Sequence, residues 1–307
     1  SETITLYAQW SVKVYTVVFD ANSGICSTEI KLVRYDSTYG TLPIPERTGY
    51  TFKGWYTSTS GGSQIVSTTK VTITEPQTLY AQWVSNDYSI AFNGNGATTG
   101  SMSNLAMTYD VAKNLTANAY VKTGYSFKGW NTKADGTGTT HANNASVKNL
   151  TASKGGVVTL YAQWSVNSYT VTFNANGGTC SQASKSVTYD LTYGTLNKKK
   201  KAGYTFKGWY TAASGGNQIY NASGTLTTSA VSGYTSGSKW VATDNKTLYA
   251  QYSANSYTVS YVLNGGSYGT NHPTSAEYDT AFNVDNPTHT HGTFAGWKIT
   301  GMDGVTH

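Results

Sequence analysis

The sequence predicts a mainly β protein, built as a tandem array of small repeat domains with little helix. A motif of the form Gly-Tyr-Thr/Ser-Phe-Lys-Gly-Trp ends at Trp55, Trp130 and Trp209, and a shorter version ends at Trp297. Only 12% of the residues are charged, whereas the 307-residue chain contains 32 glycines and 25 tyrosines. No convincing stretch has the apolar period of a helix. Recurring phrases indicate repeats, and this composition is typical of short strands joined by tight turns.

A second phrase, Thr-Leu-Tyr-Ala-Gln-Trp/Tyr, closes each copy and sets the domain boundaries. It ends at Trp83, Trp164 and Tyr252, and it also occurs at residues 5–10. On this interpretation the chain is a piece of a longer repeat protein. We expect five segments, namely the closing strand of an upstream repeat (1–10), repeat 1 (11–83), repeat 2 (84–164), repeat 3 (165–252) and the first part of a truncated repeat 4 (253–307).

Each repeat opens with an alternating strand that ends in a turn. In repeat 3, Tyr169-Thr170-Val171-Thr172-Phe173 alternates and Asn176-Gly177-Gly178 supplies the turn. A second strand then leads to a Tyr-Asp pair, where we expect the Asp to accept backbone N–H groups at a turn. An extended connection, the motif strand, a glycine-rich loop and the closing phrase follow. The recurring acids are Asp36, Asp110, Asp190 and Asp279.

The aromatic residues of the motif are predicted to be a core that recurs in every repeat, because aromatic side chains dominate the burial of small domains. Tyr and Phe share one face of the strand, whereas the Trp has the opposite parity. The glycine before the Trp predicts a bulge that turns the Trp toward the core. The motif residues are Tyr50, Phe52, Trp55, Tyr125, Phe127, Trp130, Tyr204, Phe206, Trp209, Phe294 and Trp297.

The connections between the recurring phrases are of two kinds, linkers of constant length and loops of variable length. Four residues always separate a closing phrase from the next opening tyrosine, and this constant length predicts a set spacing between neighbours and a semi-rigid rod. These linkers are residues 11–14, 84–87, 165–168 and 253–256. The loops after the motif vary in length, which favours an exposed face and often a binding face. They are residues 56–77, 131–158 and 210–246.

Taken in order, the phrases YTVTFNANGG, SVTYDLTYGTL, GYTFKGWYT, a Gly-Gly loop and TLYAQW resemble the Listeria–Bacteroides repeat, the family of the internalin B B-repeat. The resemblance covers essentially the whole chain. It implies a small domain related to the ubiquitin-like β-grasp, which occurs in tandem in secreted or wall-attached bacterial surface proteins. It also implies stalk or adhesive roles, an extracellular location at the cell surface and no catalytic residues.

The polar residues predict no enzyme activity, no cofactor and no metal site. His289 and His291 share a strand face, but no cysteine or carboxylate cluster accompanies them. No nucleophile elbow or phosphate loop recurs in the repeats. Cys26 and Cys180 occupy the same position in repeats 1 and 3, so we expect free thiols, with a bridge between chains as the alternative.

The function that we predict is a non-catalytic stalk, adhesin or filament-forming segment of a larger bacterial surface protein. Its partners would be neighbouring repeats, identical chains, or host and environmental surface ligands, with neither nucleic acid nor membrane insertion. The alternative is a glycan- or polyanion-binding module that uses the variable loops. Its candidate binding residues are Trp240, Lys198, Lys199, Lys200 and Lys201. The lysine run supplies four charges in one loop and predicts a solvated loop, with contact to a polyanion as the alternative.

Overall fold

The computed structural model describes residues 2–299, where the regular elements are strands and no helix is found. A mainly β fold is therefore confirmed, whereas the closer relation to the β-grasp stays a prediction. None of the described residues form a helix long and apolar enough to cross a membrane. The chain divides into two compact units between residues 165 and 166. Repeats 1 and 2 lie in the first unit, and repeats 3 and 4 lie in the second.

The strands are numbered along the chain. Repeat 1 contains β1 (Val14–Asp20), β2 (Ile30–Arg34), β3 (Tyr50–Tyr56), β4 (Gln64–Ile65) and β5 (Gln77–Ser85). Repeat 2 contains β6 (Asp87–Asn93), β7 (Leu105–Thr108), β8 (Lys113–Asn114), β9 (Tyr125–Asn131), β10 (Thr140–His141), β11 (Ser146–Val147) and β12 (Val157–Val166). Repeat 3 contains β13 (Ser168–Asn174), β14 (Ser184–Thr188), β15 (Tyr204–Tyr210), β16 (Gln218–Asn221), β17 (Thr235–Ser236), β18 (Lys239–Trp240) and β19 (Lys246–Ala254). Repeat 4 contains β20 (Ser256–Thr258) and β21 (Ser275–Glu277).

Each complete repeat has one five-stranded sheet, and the strand order is the same in all three. It is β2-β1-β5-β3-β4 in repeat 1, β7-β6-β12-β9-β10 in repeat 2 and β14-β13-β19-β15-β16 in repeat 3. The opening strand pairs antiparallel with the second strand. It pairs parallel with the closing strand on its other side. The closing phrase therefore forms the central strand of every complete sheet.

A bulge in the motif strand places the motif tryptophan in the core, as the sequence predicts. The pairing of β15 with β19 shifts register between Phe206 and Gly208, where Gly208 has a φ of 139°. After this shift, Phe206 and Trp209 are both buried, and their ring centroids lie 5.9 Å apart. Phe173 of the opening strand packs against the same indole at 4.9 Å. The bulge thus brings residues of opposite parity to one side of the sheet.

The turn after each opening strand is tied to the closing strand by an asparagine. Asn95 has a φ of 47°, a left-handed conformation that asparagine tolerates better than most residues. Its Nδ2 donates hydrogen bonds to the carbonyl of Ala134 in the variable loop (2.9 Å) and to that of Ala162 in β12 (2.9 Å). Asn22 and Asn176 have the same conformation and make the equivalent bonds.

The last aromatic residue of the closing phrase adds a second bond to the same turn. The indole Nε1 of Trp83 donates to the carbonyl of Ala21 at 3.0 Å. The equivalent donors are the indole of Trp164 and the hydroxyl of Tyr252. We call the asparagine bond and this aromatic bond together the turn pin. The turn pin extends the contact between opening and closing strands beyond the sheet ladder.

In repeat 4, the motif aromatics Phe294 and Trp297 lie outside any strand. The rings of Phe294 and Trp297 are 5.3 Å apart, and Tyr261 packs against Trp297 at 5.2 Å. These contacts resemble those of the complete repeats, yet Trp297 is 38% exposed. Within residues 253–299 no strand takes the central position, which in repeat 1 supplies the buried Leu79 and Ala81. The central strand is therefore what completes the burial of the motif tryptophan.

The first copy of the closing phrase, at residues 5–10, also forms no strand. Leu6, Tyr7 and Trp10 are 81–92% exposed there, whereas the matching residues of β5 lie at the centre of a sheet. A closing phrase is therefore a strand only where an opening strand and a motif strand lie on either side of it.

Candidate functional site

The junction between repeats 1 and 2 is organised by one buried asparagine. Strand β5 ends at Ser85 and β6 begins at Asp87, so Asn86 alone separates them. From repeat 1, the carbonyl of Gly49 accepts a bond from the Asn86 N–H (2.9 Å), and the Thr51 hydroxyl donates to Asn86 Oδ1 (2.6 Å).

The remaining polar groups of Asn86 bind repeat 2. Its carbonyl accepts the N–H of Tyr109 at 2.9 Å, and its Nδ2 donates to the carbonyl of Ala152 at 2.9 Å. All four polar groups of this side chain and its backbone are therefore satisfied, two by each repeat. A buried asparagine with every group bonded fixes the local geometry, since breaking any one bond leaves a buried polar group unpaired.

Aromatic packing closes the same junction. The rings of Tyr50 from repeat 1 and Tyr109 from repeat 2 meet edge to face, with centroids 5.8 Å apart. Gly49 lies against the Tyr109 ring so closely that a Cβ at this position would stand 2.2 Å from two ring carbons. The guanidinium of Arg47 covers the other ring, 3.8 Å from the centroid of Tyr50. Glycine is required here because the backbone touches the neighbouring repeat.

A tyrosine–carboxylate bond also crosses this junction. The hydroxyl of Tyr50 donates to Asp110 Oδ2 at 2.7 Å, and Asn149 Nδ2 donates to Asp110 Oδ1 at 2.7 Å. The Asn149 bond and then the Tyr50 bond hold the pKa of the Asp110 carboxyl below its usual value of 3.8. We expected the Asp of the Tyr-Asp pair to accept backbone N–H groups, but at Asp110 the donors are side chains, one of them from repeat 1.

The junction between repeats 3 and 4 has three of the four asparagine bonds. Asn255 donates its N–H to the carbonyl of Gly203 (2.9 Å), accepts the Thr205 hydroxyl on Oδ1 (2.6 Å) and accepts the N–H of Tyr278 on its carbonyl (2.9 Å). The ring of Tyr278 lies against Gly203, where a Cβ would be 2.3 Å away. Its centroid is 5.4 Å from that of Tyr204.

The tyrosine–carboxylate bond recurs there too. The hydroxyl of Tyr204 donates to Asp279 Oδ2 at 3.2 Å, and Lys201 Nζ lies 4.0 Å from the Tyr204 ring centroid. Partial burial and then this bond raise the pKa of the Tyr204 hydroxyl. The motif predicts core positions for Tyr50 and Tyr204, but both are half-buried at the junctions, where their hydroxyls bond a carboxylate of the next repeat. Two junctions with the same bonds, one in each unit, identify a device that recurs along the chain.

The upstream face of repeat 1 has part of this arrangement. The N–H of Tyr35 donates to the carbonyl of Lys13 at 3.0 Å, as Tyr109 does to Asn86, and Asp36 forms an ion pair with Lys70. A groove runs along this face, lined by Ser11, Val12, Lys13, Tyr15, Tyr35, Asp36 and Thr74. Lysine replaces the junction asparagine here, so this face lacks the side-chain carbonyl that accepts a threonine hydroxyl at the other two junctions.

The candidate binding residues of the alternative hypothesis do not form one exposed patch. Trp240 is fully buried between Tyr193 (5.7 Å) and Tyr234 (6.1 Å), so it presents no surface to a ligand. Lys199 is also buried, with its ammonium over the indole of Trp209. Trp240 belongs to the hydrophobic core of repeat 3, and Lys199 lies against Trp209 of that core.

The other three lysines of that run differ in exposure and direction. Lys198 and Lys200 are exposed, whereas Lys201 is half-buried against the aromatic residues Tyr204 and Tyr252. In this irregular segment every third or fourth residue is buried. A run of four identical residues does not predict which of them that is.

The structure brings together few groups that could perform chemistry. In the described part of the chain, no group of three or more His, Cys, Asp or Glu residues is suited to a metal ion. The rings of His289 and His291 lie 6.3 Å apart. Cys26 and Cys180 are free, half-exposed thiols, and each Sγ lies near a backbone carbonyl two residues on.

Small mainly β domains repeated along the sequence, with a recurring bonded junction, define the chain as a tandem-repeat protein. The sequence model of the Listeria-Bacteroides repeat domain matches residues 15–82, 88–163, 169–232 and 257–304. The chain therefore belongs to the Listeria-Bacteroides repeat family, and the resemblance inferred from its motifs is confirmed.

Three relatives show how the repeats occur elsewhere. A protein of Evansella cellulosilytica, named as a Gly-rich membrane protein, is 34% identical over 276 residues, which are 87% of this chain and 28% of that protein. A second protein of the same organism, named as a membrane protein, is 31% identical over 306 residues, 96% of this chain and 41% of its own length. Internalin H of Listeria monocytogenes is 37% identical over 87 residues, 28% of this chain and 15% of internalin H. The chain spans less than half the length of these relatives.

Proposed function

We propose that this chain is a non-catalytic, extracellular spacer segment of a bacterial surface protein, which acts as a stalk or adhesive module. The observation that carries the proposal is the junction itself, because Asn86 and Asn255 make the same three bonds to the repeats on either side. A flexible linker would not need such bonds. A spacer does need them, since it has to hold neighbouring domains at a set distance.

The balance of energies supports a fixed junction over a loose one. Each net hydrogen bond contributes about 0.5–1.5 kcal/mol, and an edge-to-face aromatic pair contributes about as much again. The junction of repeats 1 and 2 combines four bonds made by Asn86 and one aromatic pair. Ordering one linker residue costs only about 1–2 kcal/mol of backbone entropy.

The names of the relatives support a place at the cell surface. Two of them are named as membrane proteins and the third as an internalin. Antibodies raised against the chain should stain intact, unpermeabilised cells of the bacterium that produces it. Staining that requires permeabilisation would overturn the extracellular assignment.

Spin labels test the spacer role directly. We would attach one label in repeat 1 (Ser60→Cys) and one in repeat 2 (Lys154→Cys), both at exposed positions, with Cys26 and Cys180 replaced by serine. A fixed junction should give one narrow distance distribution that does not broaden as the temperature rises toward unfolding. A broad distance distribution, as expected for two domains joined by a flexible linker, would overturn the proposal.

The alternative, a glycan- or polyanion-binding module, has weaker support. Of its candidate residues, Trp240 and Lys199 are buried, and Lys198 and Lys200 are the exposed charges of the run. A heparin column and a glycan array separate the two proposals. Salt-sensitive retention that disappears in a Lys198→Ser, Lys200→Ser variant would favour the binding module over the spacer.

A further inference from the structure

The first and last strands of each complete repeat are parallel neighbours, and this has mechanical consequences. In repeat 1 the register runs from Val17 opposite Gln77 to Asp20 opposite Tyr80. Repeats 2 and 3 have the same arrangement. The chain enters a repeat at the start of its opening strand and leaves at the end of its closing strand. Tension along the chain therefore pulls the two strands in opposite directions along their own length.

The direction of the load decides how the bonds between the strands break. Ladder bonds of a parallel pair are evenly spaced. When the strands are pulled along their length, all these bonds share the force and must fail together. When the strands are peeled apart from one end, each bond in turn carries the whole force. The same bonds therefore resist shearing far better than peeling.

The turn pin lies where it adds to this resistance. In repeat 1 the Asn22 amide bonds the carbonyl of Ala81, and the Trp83 indole bonds the carbonyl of Ala21, just past the last ladder pair. Sliding of the opening strand along the closing strand would break these side-chain bonds together with the ladder. Peeling that begins at the Val17 end would reach them last.

Burial on the core side protects the same bonds from water. Val17 and Phe19 of the opening strand are 0% and 4% exposed, and Leu79 and Ala81 of the closing strand are both fully buried. Water that competes for a ladder bond can approach this pair of strands from the outer face but not from the core. A shielded hydrogen bond breaks more slowly, because no water molecule lies beside it to replace the lost partner.

We propose that each complete repeat is a shear clamp, in which the parallel ladder and the turn pin together resist tension along the chain. The clamp goes beyond the spacer role and does not depend on it, since it follows from strand order within one repeat. Its natural load is a pull on the protein from both ends. Equivalent turn pins at Asn95 and Asn176 extend the clamp to all three complete repeats.

Pulling the full chain in two directions through repeat 1 tests the clamp. One variant carries Lys13→Cys and Val84→Cys, which load the strands in shear. The other carries Lys13→Cys and Glu75→Cys, which peel them from one end, since Lys13 and Thr74 line the same groove. All three positions are exposed, and Cys26 and Cys180 are replaced by serine in both variants.

Four registered pairs share the load in shear, whereas one pair at a time carries it in peeling. At equal loading rate we therefore expect the shearing force to exceed the peeling force. Asn22→Asp keeps a residue that tolerates the left-handed turn but removes the amide donor. It should lower the shearing force and leave the peeling force unchanged. A shearing force no greater than the peeling force would overturn the proposal, and so would a shearing force that Asn22→Asp leaves unchanged.

Discussion

Replacing Gly49 with alanine tests whether the junction is a specific contact. Gly49 touches the Tyr109 ring of the next repeat, and a Cβ would come within 2.2 Å of it. Gly61 is a matched control in the same repeat, because it also has a left-handed backbone but nothing lies within 4 Å of a Cβ built on it. The two φ values are 79° and 66°. The two substitutions therefore differ in the contact and hardly at all in backbone strain.

The expected magnitudes follow from this difference. Alanine in a left-handed conformation costs about 1–2 kcal/mol at either position, and at Gly61 the cost ends there. At Gly49 the Tyr109 ring must also move, which forfeits an aromatic contact of about 0.5–1.5 kcal/mol and weakens hydrogen bonds of similar size at Asn86. We expect Gly49→Ala to lower the free energy of unfolding by about 2–4 kcal/mol and Gly61→Ala by about 1–2 kcal/mol.

Urea denaturation followed by tryptophan fluorescence measures both losses, and the spin labels on repeats 1 and 2 report the geometry. Gly49→Ala should broaden the distance distribution, whereas Gly61→Ala should leave it narrow. Adding Tyr109→Ala to Gly49→Ala removes the obstructing ring, so the two changes should cost less together than their sum. Equal losses and equally narrow distributions for the two alanine variants would refute the argument.

Four further predictions concern single side chains. Trp209→Ala should lower the free energy of unfolding by about 3–5 kcal/mol, because Trp209 is 1% exposed, and a loss under about 1 kcal/mol in urea denaturation would contradict its core role. Tyr193→Phe should raise the free energy of unfolding by about 1 kcal/mol, since its buried hydroxyl has no hydrogen-bond partner among the described residues. Tyr39→Phe should instead lower the free energy of unfolding by about 1 kcal/mol, because the Tyr39 hydroxyl donates a hydrogen bond to Gln77. Equal effects of Tyr193→Phe and Tyr39→Phe would contradict this account. The bonds to Asp110 are kept above its lowered pKa and lost as the pH falls through it, so the carboxyl carbon should titrate in NMR below 3.8. A midpoint at or above 3.8 would contradict the bonds that Asn149 and Tyr50 donate to this carboxylate.

Much of the fold inside one repeat could be predicted from sequence, because its signals are local. The alternation of Val171 and Phe173 indicates a strand with one buried face. The glycine before Trp209 indicates a bulge, and the structure has the register shift between Phe206 and Gly208. Both features depend on residues within a few positions of each other.

The junctions could not be predicted from one repeat, because their partners lie far apart in the chain. Tyr50 and Asp110 are separated by 60 residues, and Tyr204 and Asp279 by 75. A signal was nevertheless present, since a motif tyrosine in one copy and a Tyr-Asp pair in the next occur together. The recurring asparagine at the end of the linker was a second signal, and the constant linker length alone did not identify it.

The role of Trp240 could not be predicted for a different reason. An extra tryptophan in a long loop is equally consistent with a binding site and with an added piece of core. The decision depends on whether β17 and β18 fold back over the sheet, which the loop length does not determine. In the structure Trp240 contacts Tyr193 and Tyr234 and is fully buried.

Placing the closing phrase at the centre of the sheet also fixes when a repeat can fold. The opening strand pairs with the closing strand from Val17 opposite Gln77 in repeat 1 and from Val171 opposite Lys246 in repeat 3. This central pair cannot form before the closing strand is present. As the chain is synthesised, each repeat thus stays open until its last strand emerges. It then closes by forming its most distant contacts, which are intrinsically slow to find. Completion proceeds one repeat at a time from the amino end, and the finished sheet of repeat 1 presents Gly49 and Tyr50 to repeat 2.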